Sequence, residues 1–182
     1  MILCEKVAKS YGSLSVLSGV SLSAEPGGRV LVTGRSGAGK TTLLRILLGL
    51  EKPDAGTVNL LPAAAVFQED RLFEGFDAVR NVKACVREPE ERIREALLSL
   101  LPGDALSKPV SGLSGGMRRR VSVVRACLAE GELLVMDEPF TGLDAATREK
   151  TLSFILSRQR GRVLILSAHD TEGLSSFSEY RL

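Results

Sequence analysis

The chain has 182 residues, of which 44% are hydrophobic and 25% are charged, and its formal net charge is +2. This length and composition fit one globular domain, or a core with a smaller inserted subdomain, and they exclude a disordered chain. The net charge is too small to favour nucleic acid or an acidic membrane surface as a partner. Arg45 or Pro102 interrupts the longest apolar stretches, well short of the roughly 20 residues that cross a bilayer.

The cysteines and the N-terminus favour a reducing compartment. Cys4, Cys85 and Cys127 are scattered and lack the C-x-x-C spacing of a metal or redox site. The first residues show no basic segment followed by an apolar stretch, so we expect no secretory signal. We therefore expect a cytoplasmic protein that would serve a membrane only through another chain.

The first third of the sequence predicts strands followed by one helix. Residues 1–30 alternate short apolar and polar pieces between glycines, which is typical of antiparallel strands and turns. Arg29–Thr33 predicts a buried strand that meets a glycine-rich loop, and Lys40–Leu50 predicts the helix after it. Residues 53–56 predict a turn, and Ala63–Phe67 predicts another buried strand.

The middle of the chain predicts a helical insert. Asp77–Val86 and Pro89–Leu101 have the pattern of helices, and they lie between two stretches of strand-loop-helix character. We therefore expect a single domain over 1–182, with a helical subdomain over 72–116. The core, which includes the β-rich start, would comprise 1–71 and 117–182.

The last third predicts a return to alternating helices and strands. Met117–Ala129 and Asp144–Gln159 predict helices, whereas Leu133–Met136 and Val163–Ser167 are apolar and predict buried strands. The expected architecture is a mostly parallel sheet covered by helices, with a β-rich start and an inserted helical part.

Residues 34–41 form a complete G-x-x-x-x-G-K-[ST] loop between a predicted strand and helix. In such a loop the backbone N–H groups point at phosphate oxygens, and the helix presents its positive N-terminal end. Lys40 would neutralise the β and γ phosphates, and the Thr41 hydroxyl would hold Mg²⁺. The expected nucleotide-binding residues of this segment are Gly34, Arg35, Ser36, Gly37, Ala38, Gly39, Lys40, Thr41 and Thr42.

Two adjacent carboxylates, Asp137 and Glu138, follow the apolar strand Leu133–Met136. The strand would deliver Asp137 to a metal ion, and Glu138 could reach the water that attacks the γ-phosphate. A strand that ends in acidic residues is common and carries little information alone. Beside a phosphate-binding loop, however, it indicates nucleotide hydrolysis.

Gln68 and His169 each follow a predicted strand, after Phe67 and Ser167 respectively. Ligands of open α/β sheets bind beyond the carboxyl ends of the strands. We therefore expect Gln68 and His169 to gather at the same edge as the phosphate loop and the two carboxylates. Taken singly, each would be read as a structural or surface residue.

Ser114-Gly115-Gly116-Met117 leads into a predicted helix, and it indicates a second anion site built from N–H groups and the helix dipole. If the helical insert holds this site away from the first, it must act on nucleotide bound to another subunit. Alone, the segment would be better explained as a flexible loop that caps a helix.

With these motifs in this order, the sequence resembles an ABC-family nucleotide-binding domain along nearly its whole length. The resemblance implies an α/β fold of the P-loop NTPase (RecA-like) class, with a mostly parallel sheet core, an N-terminal antiparallel β subdomain and an inserted helical subdomain. Its motifs are matched by residues 34–41 (Walker A), Gln68 (Q-loop), 113–117 (signature), 133–138 (Walker B) and His169 (switch histidine). Tyr11 stands where the family's aromatic residue stacks on adenine, and 141–144 resembles the D-loop.

The resemblance also implies a mechanism, in which two ATP molecules are closed between the chain and a second copy of itself or a homologous ATPase subunit. Glu138 would act as general base, His169 and Gln68 would sense the γ-phosphate, and Lys40 would stabilise its charge. Mg²⁺ would be held by Thr41, Gln68 and Asp137. Tyr11 and the Walker A loop of one chain would bind ATP together with Ser114, Gly115 and Gly116 of the other.

The family's transporters imply transmembrane permease subunits as partners, contacted around residues 68–77, and a place on the inner face of the cell membrane. Residues 68–72 resemble the corresponding stretch of importers of small anions such as sulfonates or nitrate, but they are too short to name a cargo. No nucleic acid is expected, because Arg118-Arg119-Arg120 has no interleaved aromatic residues and is best explained as a solvated helix face.

Three other functions stay open at this point. A non-transport ABC-type ATPase would carry long coiled-coil insertions or two cassettes, and neither is present. A different P-loop enzyme, such as a GTPase or a small-molecule kinase, would have no use for the signature, and no N-K-x-D motif is found. A regulatory nucleotide-binding subunit without turnover is kept in view by Met117, which stands where the signature usually has glutamine.

Overall fold

The computed structural model describes all residues from Met1 to Leu182, and the backbone forms eight strands, five α-helices and two short 3-10 helices. The strands and α-helices are, in chain order, β1 (Ile2–Tyr11), β2 (Leu14–Ser23), β3 (Arg29–Thr33), α1 (Lys40–Leu47), β4 (Ala55–Val58), β5 (Ala63–Val66), α2 (Ala78–Lys83), α3 (Glu90–Leu98), α4 (Gly115–Leu128), β6 (Leu133–Asp137), α5 (Ala145–Ser157), β7 (Val163–Ser167) and β8 (Ser178–Arg181). The residues fall into two compact units. The first comprises Met1–Ala63, Gly131–Glu138 and Gly161–Leu182, and the second comprises Ala64–Glu130 and Pro139–Arg160.

The first unit contains four parallel strands in the order β6-β7-β3-β8. Strands β6 and β7 are buried along their whole length, and β3 is buried from Val30 to Thr33. Continuous apolar runs of this kind belong to parallel strands that are covered on both faces. The predicted parallel sheet is thereby confirmed, and it brings the carboxyl ends of β3, β6 and β7 to one edge.

An antiparallel sheet in the order β2-β1-β4 forms the other layer of this unit and confirms the prediction for residues 1–30. The predicted turn at 53–56 is wrong at its second half, because β4 begins at Ala55, which pairs with Ala8. Gly56 has a φ of +86°, and a Cβ there would lie 2.4 Å from the carbonyl oxygen of Lys6. A side chain would not fit, so the glycine permits strand pairing as well as turning.

Strand β8 was not predicted from the sequence, in which Val163–Ser167 is the last predicted strand. Its residues are polar and its side chains are mostly exposed, so the pattern resembles a loop. The backbone nevertheless pairs with β3, and the Thr33 hydroxyl donates to a carboxylate oxygen of Glu179 at 2.6 Å. Tertiary pairing, rather than local pattern, makes this segment a strand.

Helix α1 follows the glycine-rich loop and contacts β6. It ends with a Schellman arrangement, in which Gly49 N–H donates to Ile46 at 3.0 Å and Leu50 N–H donates to Arg45 at 2.9 Å. Gly49 adopts a φ of +68°, which glycine tolerates without strain. The helix is shorter than predicted at its C-terminal end, since residues 48–50 form this cap.

The second unit is mostly helical. Helix α4 contacts α2, α3 and α5, and its buried face includes Val121 and Val124 as predicted. It begins at Gly115, two residues earlier than expected, because Ser114 caps it: the Ser114 hydroxyl accepts a hydrogen bond from Met117 N–H at 3.3 Å. Helices α2 and α3 form where the sequence places them, with shorter spans.

Candidate functional site

The glycine-rich loop between β3 and α1 is shaped by glycines that a side chain would disrupt. Gly39 has a φ of +97°, and a Cβ there would lie 2.8 Å from Leu17 Cδ2 and 2.9 Å from Val16 Cγ1. Gly37 has a φ of +78°, which also favours glycine. The crest of the loop from 35 to 37 is exposed, while Gly39 is buried.

Lys40 is the first residue of α1 and is only 6% exposed. Its ammonium group donates to the carbonyl oxygens of Gly34 at 2.9 Å and Arg35 at 3.2 Å. The lysine therefore lies along the inside of the loop, where the helix N-terminus also presents N–H groups. A positive charge and backbone donors in this arrangement suit a polyphosphate.

Thr41 and Asp137 connect the loop to the end of β6. The Thr41 hydroxyl donates to Asp137 Oδ2 at 2.7 Å, and Asp137 is only 5% exposed. A hydroxyl and a carboxylate are oxygen ligands of the kind that Mg²⁺ takes beside phosphates. The donor set formed by Thr41 and Asp137 therefore fits this ion.

Glu138 follows Asp137 and has a φ of +51°, a conformation that non-glycine residues rarely adopt. Such strain persists only where the surrounding structure holds the residue, and it concentrates at functional sites. Glu138 Oε1 lies 2.8 Å from His169 Nε2. The Glu138 side chain is 17% exposed, whereas that of His169 is 57% exposed, so both remain open to a ligand.

Ser167, the last residue of β7, was missed as a site residue. Its hydroxyl donates to Asp137 Oδ1 at 2.6 Å and accepts from Glu138 N–H at 3.1 Å. The available signal was the single hydroxyl at the end of an apolar strand, two residues before His169. Sequence reasoning did not use it because the strand register that places it opposite Asp137 is visible only in the structure.

Tyr11, at the end of β1, is 48% exposed, and the Lys9 ammonium lies 5.5 Å from its ring centroid. Lys9 is anchored by Asp54 at 3.0 Å and Glu51 at 3.1 Å. The N–H of Ser10 and then the Lys9 side chain donate to Asp54, and they hold the pKa of Asp54 below its usual range. The Tyr11 ring is thus accessible beside a fixed cation.

In the second unit, the N-terminus of α4 opens into a cleft of about 590 Å³. Gly116 packs closely there, because a Cβ would lie 3.1 Å from the Gly142 carbonyl oxygen and 3.2 Å from Leu143 Cδ2. The cleft is lined by Asp70, Ser114, Gly115, Gly116, Arg119, Arg120, Thr141, Gly142, Leu143, Asp144 and Thr147. The signature residues and residues 141–144 therefore form one surface.

Two charged residues fix the borders of this cleft. Arg120 donates to the carbonyl oxygens of Gly116, at 3.0 Å, and Leu100, and burial lowers its pKa. Asp144 caps α5 and accepts from the N–H and the hydroxyl of Thr147, both at 2.9 Å. These two hydrogen bonds hold the pKa of Asp144 below its ordinary value.

The stretch around Gln68 is fastened to α4 by Arg119. The guanidinium of Arg119 donates to the carbonyl oxygens of Phe67 and Gln68 and lies 3.4 Å from Asp70 Oδ1. Arg119 is only 6% exposed. The expectation that Arg118, Arg119 and Arg120 form a solvated face is therefore wrong, most clearly for Arg119, since the carbonyl groups it satisfies draw it into the protein.

The candidate residues thus divide between the two units. The first unit contains Lys40, Thr41, Asp137, Glu138 and His169, linked by the hydrogen bonds described above and by the contact between Glu138 and His169. The second carries Gln68 and the segment Ser114–Gly116. Three features lie at the strand ends of the parallel sheet: a glycine-rich loop suited to phosphate, two oxygen ligands for a cation, and a carboxylate beside a histidine. Together they define a P-loop nucleotide-binding fold.

Comparison with known proteins narrows this class. Residues 17–141 match the family model described as ABC transporter. The chain is 41% identical over 173 residues to the aliphatic sulfonates import ATP-binding protein SsuB 1 of Nocardia farcinica, covering 90% of this chain and 69% of the relative. It is 38% identical over 195 residues to the Fe(3+) ions import ATP-binding protein FbpC 3 of Rhodococcus jostii, covering 94% of this chain and 56% of the relative. The chain spans 64% of the length of a further sulfonate relative, SsuB 3 of Rhodococcus jostii.

The fold also resembles solved structures. The dimeric structure of MJ0796, a bacterial ABC transporter cassette, superposes with a TM-score of 0.88 at 26% identity, covering all of this chain and 94% of that one. The chain therefore belongs to the ABC transporter family, as its ATP-hydrolysing cassette. This confirms the resemblance drawn from the motifs. None of the helices is long and apolar enough to cross a membrane.

Proposed function

We propose that this chain binds ATP with Mg²⁺ and couples ATP-driven closure of a dimer to solute transport through separate membrane subunits. One observation carries the proposal: the Lys40 loop, the Thr41–Asp137 pair and the Glu138–His169 pair lie at the ends of β3, β6 and β7 within one unit. Membership in the ABC transporter family and the import ATP-binding relatives support it.

The triphosphate would be held by the loop residues of 34–42. Their backbone N–H groups and the α1 N-terminus would face the phosphate oxygens, and the Lys40 ammonium would exchange its carbonyl partners for the β and γ phosphates. The exposed ring of Tyr11 would stack on the base. Because Lys40 is already directed along the loop, little reorganisation is needed to bind a polyphosphate.

Thr41 and Asp137 would hold the metal ion, and the resemblance to the family implies Gln68 as a further ligand. Mg²⁺ bound there would supply positive charge that offsets the charge of the phosphates. The chain itself contributes the fixed Asp137 carboxylate, whose Oδ2 already accepts from Thr41.

Glu138 would take a proton from the attacking water as general base. Its carboxylate is only partly exposed, and it is directed by His169 at 2.8 Å. The His169 side chain would, together with Gln68, respond to the γ-phosphate, while Lys40 would stabilise charge on the transferred group. Replacing the carboxylate by an amide would remove the base and keep the shape of the site.

Ser114, Gly115 and Gly116 would complete the triphosphate site of a partner cassette, either a second copy or a homologous subunit. The capped N-terminus of α4 provides N–H donors and the positive end of a 14-residue helix. Met117 contributes its backbone N–H to the Ser114 cap, which does not require a glutamine side chain. The dimeric form of the related cassette supports this arrangement.

A permease would dock on the loop from Phe73 to Asp77, which would place the chain on the cytoplasmic face of the cell membrane. Phe73 is 53% exposed and Phe76 is 42% exposed, and their ring centroids lie 5.4 Å apart. An exposed aromatic pair on a fixed loop is typical of an interaction surface. The proposed division into a core (1–71 and 117–182) and a helical subdomain (72–116) would place this loop in the helical part.

The loop is fixed from within by Asn81, which is fully buried in α2. Its Oδ1 accepts from Phe73 N–H at 2.8 Å, and its Nδ2 donates to the carbonyl oxygens of Phe73, Phe76 and Asp77 at 3.0 to 3.2 Å.

The cargo would be set by the membrane and binding subunits, since relatives named for sulfonates and for Fe(3+) match the chain at similar identity.

The test combines phosphate release with the oligomeric state of Glu138→Gln. The variant should bind ATP, lose most of its hydrolysis and accumulate as an ATP-bound dimer in size-exclusion chromatography. Glu132→Gln, at an exposed carboxylate outside the site, is the matched control and should hydrolyse ATP as the wild type does. Unchanged turnover of Glu138→Gln would remove the assignment of the base. A wild type that binds ATP without releasing phosphate would favour the regulatory alternative.

A further inference from the structure

Ser167 is the only polar residue of strand β7, whose sequence is Val-Leu-Ile-Leu-Ser. It is fully buried, and it lies in register with Asp137 of β6 on one side and Val32 of β3 on the other. A buried hydroxyl in an apolar strand is costly to keep unless it makes hydrogen bonds. We therefore expect the Ser167 hydroxyl to have a specific hydrogen-bonding role, which its partners identify.

The Ser167 hydroxyl contacts two consecutive residues, Asp137 and Glu138. It donates to Asp137 Oδ1 at 2.6 Å and accepts from Glu138 N–H at 3.1 Å. The same N–H lies 3.2 Å from the Ser167 carbonyl oxygen, so the donor is shared between two acceptors of one residue. One side chain thereby fixes the carboxylate of one residue and the backbone of the next.

The contact to Asp137 determines how that carboxylate is turned. With Oδ1 occupied by Ser167, Oδ2 is directed to the Thr41 hydroxyl at 2.7 Å. Asp137 is 5% exposed, so water has little access to replace a lost partner. Without the Ser167 hydroxyl the carboxylate could rotate, and its orientation toward a cation would no longer be fixed.

The contact to Glu138 determines where the second carboxylate points. At a φ of +51° the backbone of Glu138 is in a sparsely populated conformation, which needs hydrogen bonds to hold it. From that conformation the side chain reaches His169 at 2.8 Å. A relaxed backbone would redirect the Glu138 side chain even though its sequence is unchanged.

We propose that Ser167 is a positioning residue that orients both carboxylates at once, setting Asp137 toward the cation and Glu138 toward the attacking water. The inference rests on the proposed ATP hydrolysis. It predicts that loss of the Ser167 hydroxyl affects both metal-dependent nucleotide binding, which is assigned to Asp137, and turnover, which is assigned to Glu138.

The test compares Ser167→Ala with Thr151→Val in the 182-residue chain. Thr151 is also fully buried, and its hydroxyl donates to the Thr147 carbonyl within α5 at 2.7 Å, so both variants lose one buried hydrogen bond. For Ser167→Ala we expect kcat to fall about 10- to 100-fold, and KM for ATP in the presence of Mg²⁺ to rise because Asp137 is no longer held toward the cation. Ser167→Thr, which keeps the hydroxyl, should recover part of kcat.

A second readout does not depend on turnover. The affinity of each variant for a fluorescent ATP analogue is measured with and without Mg²⁺, and unfolding in denaturant confirms that each variant is folded. Mg²⁺ should tighten binding for the wild type and Thr151→Val, and this tightening should shrink for Ser167→Ala. Equal effects of Ser167→Ala and Thr151→Val on both readouts would overturn the positioning role. A wild type without hydrolysis would instead overturn the proposed function on which the inference rests.

Discussion

His169 Nε2 and Glu138 Oε1 lie 2.8 Å apart, although the first residue follows β7 and the second follows β6. The parallel pairing of these strands brings the two together, since Asp137 lies in register with Ser167. The histidine is the more exposed partner, since its side chain is 57% exposed and that of Glu138 is 17% exposed.

We expect His169→Ala to lower kcat about 100-fold, because the Glu138 carboxylate would lose the group that directs it. Binding of ATP should change little, since the phosphate loop and Lys40 are untouched. Phosphate release under saturating ATP and equilibrium binding of a fluorescent analogue measure the two effects. A variant that binds and turns over as the wild type does would show that the pair has no catalytic use.

The two glycines at the start of α4 should respond differently to alanine. A Cβ at Gly115 meets nothing within 4 Å, whereas at Gly116 it would lie 3.1 Å from the backbone oxygen of Gly142. Gly115→Ala should therefore raise the free energy of unfolding by about 0.4 to 1 kcal/mol, because it restricts the unfolded chain. Gly116→Ala should lack this gain or be less stable than the wild type. Equal stabilities of the two variants in urea titrations would contradict the close packing at Gly116.

Adjacent arginines of α4 should differ in their effect on stability. The Arg119 side chain is 8% exposed and contacts two carbonyl groups and Asp70, while that of Arg118 is 28% exposed and lies 3.6 Å from Asp70. Arg119→Met should lower the free energy of unfolding by about 3 kcal/mol, since it leaves buried acceptors unpaired. Arg118→Met is the matched control and should cost about 1 kcal/mol or less. Denaturant midpoints and slopes for both variants provide the measurement, and similar losses would count against the fastening role of Arg119.

The cap of α5 should make part of the stability depend on pH. Hydrogen bonds from Thr147 lower the pKa of Asp144 in the folded protein, so its charged form stabilises the fold above the ordinary pKa of aspartate. This contribution is lost as the pH falls through the lowered pKa. The difference in Tm between wild type and Asp144→Ala should therefore be largest near neutral pH and shrink in acid. A difference that is independent of pH would exclude the charged cap.

The sequence predicted much of the site because its motifs couple residue type to a position in the chain. Residues 34–41, Asp137, Glu138 and His169 all follow apolar strands, and a parallel sheet brings such positions to one edge. Ser167 could not be assigned in this way, since its role depends on the register between β6 and β7 and on the unusual φ of Glu138.

The elements that were missed are those set by tertiary pairing. β8 is polar and exposed, and it is a strand only because β3 lies beside it. The sequence around Arg119 predicts a surface residue. In the structure its guanidinium is buried and donates to the carbonyl oxygens of residues 67 and 68, which are distant in sequence. The observed helix ends differ from the predicted ones by one to three residues, as at α4, where the Ser114 cap determines the boundary.

Asn81 gives the aromatic loop before α2 an unequal tolerance to evolutionary change. Its amide is matched to backbone atoms of Phe73, Phe76 and Asp77, so inserting or deleting a residue between 73 and 77 would break several of these hydrogen bonds together. Replacing the rings of Phe73 and Phe76 alters none of them, since only main-chain atoms take part. The side chains that the loop exposes can thus change during evolution, while the number of residues in the loop stays the same.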